Sequence, residues 1–140
     1  MMRAAVCLTL ALALAPAGPA QACGHCLEDK IAAVYDHAVL TRAVAQKHQV
    51  VFYAIDGPLA GGEATRRAIA ALADGAYGVD RGSARVSIDT ASLSVAFDAP
   101  HVAYAAMERD LGRKLAGLKL TLLPLRVMDK AAEFKPAAAR

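Results

Sequence analysis

The chain has 140 residues, with 16 Lys+Arg against 13 Asp+Glu and a formal net charge of +3; this length suits one domain, and so small and dispersed a charge excludes an electrostatic nucleic-acid binder. Hydrophobic residues make up 56%, but 34 residues are alanine, which buries little area and favours helix, so the usable core is smaller than that share suggests. Trp is absent and aromatics are 5%, which excludes a large aromatic ligand cage, while three cysteines make an odd count.

Residues 1–22 carry the pattern of a secretory signal peptide. Arg3 supplies the positive start, Ala4 to Ala15 the apolar stretch, and Ala20-Gln21-Ala22 the small-x-small cleavage signal. The apolar stretch is about 12 residues, against roughly 20 for a spanning helix, so no stable membrane span is expected. Cleavage after Ala22 would remove Cys7 and leave Cys23 and Cys26 as a Cys-x-x-Cys pair. The expected location is the periplasm or the exterior, where thiols can oxidise. A lipid on Cys23 is the lesser alternative, because Ala20 stands where a lipoprotein signal normally has Leu.

The spacing of Leu27, Ile31, Val34 and Ala38 predicts one helix over Leu27–Lys47, with Glu28 and Asp29 in its first turn. Val50 to Ile55 is apolar at every position, as in a central strand buried on both faces, and Asp56-Gly57-Pro58 ends it. Glu63–Asp74 is a second helix, closed by Gly75. Arg85–Asp89 and Ser92–Phe97 form a hairpin about Thr90-Ala91. Pro100 opens a third helix at its first position, with Tyr104, Met107, Leu111, Leu115 and Leu118 facing inward. Leu122–Met128 is an edge strand, because Pro124 cannot donate to a ladder.

The expected fold class is therefore α+β, a ferredoxin-like βαββαβ sandwich preceded by an extra N-terminal helix. The expected divisions are 1–22 signal peptide, 23–48 motif and N-terminal helix, 49–130 ferredoxin-like domain, and 131–140 flexible tail.

Over residues 50–128, about two-thirds of the cleaved chain, the sequence resembles a heavy-metal-associated domain, the small fold of copper chaperones and metal-pump N-termini. The resemblance rests on Val50–Gly57, Gly78-Val79, Val86-Ser87-Ile88-Asp89 and Val95-Ala96-Phe97-Asp98. It implies metal handling and a surface for a partner protein. That family carries a Met-x-Cys-x-x-Cys loop after its first strand. Here the loop is Gly57-Pro58-Leu59-Ala60-Gly61-Gly62, with no thiol, imidazole or carboxylate.

The chemistry is concentrated instead in Cys23-Gly24-His25-Cys26. A thiol at a helix start is biased towards thiolate, which selects Cu(I) or Zn(II), and imidazole suits both. If the chain begins at Cys23, its free amine, two backbone amides and His25 in third position also make a square-planar nitrogen set of the kind Cu(II) or Ni(II) prefers. The candidate metal ligands are thus Cys23, His25 and Cys26, with copper favoured and zinc or nickel compatible. Two chains sharing one ion would make a dimer.

Two other readings stand beside this one. The tetrapeptide resembles the active-site motif of protein disulfide isomerases, though no lead-in strand precedes it, which leaves thiol–disulfide exchange as the alternative; a local structural disulfide is the third. No catalytic residue is otherwise indicated: Glu63 stands where a phosphate loop needs Lys. His37, His48 and His101 are expected at the solvated surface, Met107 and Met128 in the core, and Asp56, Asp89 and Asp98 in turns.

Overall fold

The computed structural model describes residues 24–129. The signal segment, Cys23 and the tail at 131–140 lie outside the described residues.

The chain opens with two helices, α1 (Gly24–Val34) and α2 (His37–Ala45), where the hydrophobic spacing predicts one. Asp36 makes the break. Its backbone is extended at φ −129°, and its Oδ1 accepts from Ala38 N at 2.9 Å and Val39 N at 3.1 Å, the bonding of an N-cap. Its other oxygen accepts from Arg85 Nε at 2.8 Å. Because α1 already begins at Gly24, Glu28 and Asp29 fall beyond its first turn, which holds no acidic residue.

The strands are β1 (Gln49–Asp56), β2 (Arg85–Ser87), β3 (Ser92–Phe97) and β4 (Thr121–Met128), in the order β2-β3-β1-β4 with every neighbour antiparallel. The fold is mixed α+β. β1 is central and buried on both faces, as its uninterrupted apolar run predicts, and β4 is an edge strand, as Pro124 predicts. Pro124 stands opposite Tyr53, beside a register shift between Phe52 and Tyr53. The missing N–H is thus accommodated next to a bulge. β2 stops at Ser87, two residues short of expectation, because Ile88–Ala91 forms the turn, with Ala91 at φ 48° and its N–H on Ile88 O.

Two further helices, α3 (Glu63–Asp74) and α4 (Tyr104–Ala116), complete the fold. α3 has the predicted limits. α4 starts four residues after Pro100, because Asp98 O first takes the amides of His101 and Val102 in a turn. It also ends before Leu118, which is 40% exposed and does not join the inward stripe.

The alternation of β1 separates two cores. Val51, Tyr53 and Ile55 face α3 and α4, where Ile69, Ala73, Met107, Leu111 and Leu115 bury. Val50 and Phe52 face the other way, with Ala96 and Met128, against Ile31, Val34, Val39, Leu40 and Ala43 of the N-terminal helices. The sheet is therefore covered on both faces. Among the described residues no helix is long and apolar enough to cross a membrane.

Candidate metal centre

Gly24, His25 and Cys26 form the first turn of α1, and Cys23 lies outside the described residues. A helix start leaves four backbone N–H groups without intrahelical partners, a setting that favours thiolate over thiol.

The rest of α1 is tightly held. Ile31 and Val34 are buried, and Leu27 packs against the same core. Lys30 Nζ donates to the carbonyls of Thr90 and Ala91. Ser94, buried in β3, donates its hydroxyl to Val34 O at 2.7 Å, which satisfies a carbonyl at the last turn. Arg126 of β4 reaches Glu28 at 3.1 Å.

These contacts set the direction of the helix. Ala91 lies beside Ile55, whose N–H it accepts at 2.8 Å, so the first turns of α1 lie towards the Asp56 end of the sheet. The Gly57–Gly62 loop leaves β1 at that same end. Beside that loop is a cleft of about 370 Å³, lined by Ala33 of the last turn of α1, Gly61, Gly62, Glu63, Arg66 and Val86 to Asp89. Glu63 offers no free carboxylate to it. Arg66 Nε donates to Glu63 at 2.7 Å and Arg67 Nε at 2.9 Å, and these bonds hold its carboxyl at about 2, far below the usual range.

The remaining candidates are distributed as follows. His37 opens α2, exposed, with ring nitrogens 3.4 Å from Tyr35 Oη and Thr41 Oγ1. Met107 and Met128 are buried core residues, as expected. His48 departs from expectation. It is only partly exposed: its side chain is 16% accessible, with Nδ1 2.8 Å from Asp80 Oδ2 and Nε2 3.4 Å from Asp98 Oδ1. His101 Nδ1 lies 2.8 Å from the same Asp98 oxygen, and that hydrogen bond is the chief cause holding the Asp98 carboxyl below its ordinary range.

This cluster assembles at the Gln49 end of the sheet, and only its Asp98-x-x-His101 spacing is local in sequence. Gly78 makes the approach of Asp80 feasible. It adopts φ 77°, its carbonyl accepts from Asp98 N, and a Cβ there would fall 2.6 Å from Val102 Cγ1.

In the other core, Tyr53 donates to Tyr104 at 3.4 Å and Tyr104 to Glu108 at 2.7 Å. Burial pushes both phenols up, Tyr53 far more, so both remain protonated donors.

Among the described residues, no three or more His, Cys, Asp or Glu stand as a preformed metal-ligand set. No protein-family model matches the chain, and no curated protein or solved structure matches it.

Proposed function

We propose that this is an exported protein that binds a transition metal, copper favoured, through Cys23, His25 and Cys26, acting in delivery, sensing or sequestration. The observation that carries this reading is the packing of α1. A thiol–imidazole tetrapeptide leads directly into a helix that is itself anchored to the sheet by Ile31, Val34, Lys30 and Ser94.

The body is a ferredoxin-like arrangement of the heavy-metal-associated kind, with α3 and α4 as its two crossovers. The order β2-β3-β1-β4 supports this reading. The metal-binding motif would then lead into α1 instead of standing in the loop after β1. Zinc or nickel would fit the same donors. The partner class is a metal-transport or redox protein, and a dimer sharing one ion remains compatible with so short a site.

Thiol–disulfide exchange is the second reading, favoured by the position of Cys26 at a helix start. The deciding experiment is titration of reduced, processed protein with Cu(I) against a competing chelator. About one Cu(I) per chain is expected, with binding abolished in the Cys23→Ser, Cys26→Ser variant. Retained binding in that variant would overturn the site. Insulin reduction by the wild type with no Cu(I) uptake would favour the redox reading instead.

A further inference from the structure

His48 stands where three parts of the chain meet. Its own backbone N–H donates to Ala43 O at 2.8 Å, at the carbonyl end of α2, where positive charge is favoured. Both of its ring nitrogens face carboxylates, Nδ1 at 2.8 Å from Asp80 Oδ2 and Nε2 at 3.4 Å from Asp98 Oδ1. An ionised carboxylate only accepts hydrogen bonds, and a neutral imidazole carries one N–H. The neutral ring can therefore serve one of the two acids, while the imidazolium serves both.

The charged groups around the ring come from each element that meets there. Asp80 belongs to the segment before β2, and Asp98 is the residue after β3. His101 reaches the same Asp98 oxygen at 2.8 Å, and α2 has Arg42 in its last turn. The two acids are also backbone anchors. Asp80 N donates to Ala96 O at 2.8 Å and Asp98 N to Gly78 O at 3.0 Å, beside the bridge between Val79 and Phe97.

We propose that His48 is a proton-operated clasp, which as an imidazolium ties the α2–β1 junction to both Asp80 and Asp98 and on losing its proton releases Asp98. The shorter contact, to Asp80, keeps the one remaining N–H. Asp98 stays charged throughout, because the bond from His101, with the charge of His48 adding to it, holds its carboxyl below the ordinary range. The sign follows from the count of N–H groups. The clasp is complete on the acid side of the imidazole range, about pH 5 to 8, and opens as pH rises through it.

The test is nuclear magnetic resonance on the processed chain across that range. In the wild type, protection of the Asp80 and Asp98 amides, corrected for intrinsic exchange, should fall at least about threefold as the His48 ring loses its proton. His48→Gln, neutral throughout, should abolish that step. His101→Ala, a change at a side chain that is 79% exposed, should leave it in place. Asp98→Asn should move the titration of the His48 ring signals at least about half a unit to lower pH. A step that survives His48→Gln or vanishes in His101→Ala belongs to another group and overturns the proposal. Flat protection in the wild type, or a His48 titration that Asp98→Asn leaves in place, overturns it as well.

Discussion

Asp36 shows how one side chain can divide an element. A carboxylate in the middle of a helical run competes with the helix for backbone N–H groups, and Asp36 wins two of them while also pairing with Arg85. Replacing an N-cap of this kind by Ala costs about 0.5–2 kcal/mol, and Asp36→Ala should fall at the upper part of that range, because the Arg85 pair is lost too. Chemical denaturation at pH 7 would read the difference. The backbone bond from Val39, and then Arg85, lower the Asp36 carboxyl below its ordinary value despite partial burial. Its stabilising contribution is therefore present above the unfolded value of about 3.9 and is lost as pH falls through the lower folded value. The gap between wild type and Asp36→Ala should narrow across that acid range, and a gap that stays constant would show that the charge is not involved.

Elements whose patterning is local could be read from the chain, and those decided by tertiary partners could not. β1 is recognisable because an all-apolar strand must be buried on both faces, and β4 because Pro124 bars it from the interior of a sheet. The paired helices were hidden, because Leu27, Ile31, Val34 and Ala38 keep one helical spacing up to a break that depends partly on Arg85, 49 residues away. Pro100 has the look of a helix start, yet Asp98 O captures the amides that follow it. The His48 cluster was illegible for the same reason: His48 and Asp98 meet through the antiparallel register of β1 and β3, and Asp80 joins them through the bridge between Val79 and Phe97. For the metal motif, the chain displays its residue types and the fold adds the helix that presents it. That helix is held chiefly by Ile31, which is fully buried. Ile31→Ala should cost about 2–5 kcal/mol, read as a lower urea midpoint. Leu123→Ala, on the β4 edge at 56% exposure, should change stability by no more than about 0.5 kcal/mol. Equal losses at the two positions would contradict the packing described for α1.

At the scale of the whole molecule, the two cores are separated by a single sheet but are not independent. Every second residue of β1 belongs to one core and the alternate residues to the other. Neither α1–α2 nor α3–α4 can therefore release its side of the sheet without stripping apolar cover from the same strand. For dynamics, the consequence is that β1 acts as a shared fuse. Its central amides at Val51, Phe52 and Tyr53 should exchange with solvent only through global opening, all with one free energy equal to that of unfolding. Native-state hydrogen exchange would read this directly. A lower, separate opening energy for amides of α1 and α2, with β1 unaffected, would mean that the N-terminal pair detaches alone, carrying the thiols with it.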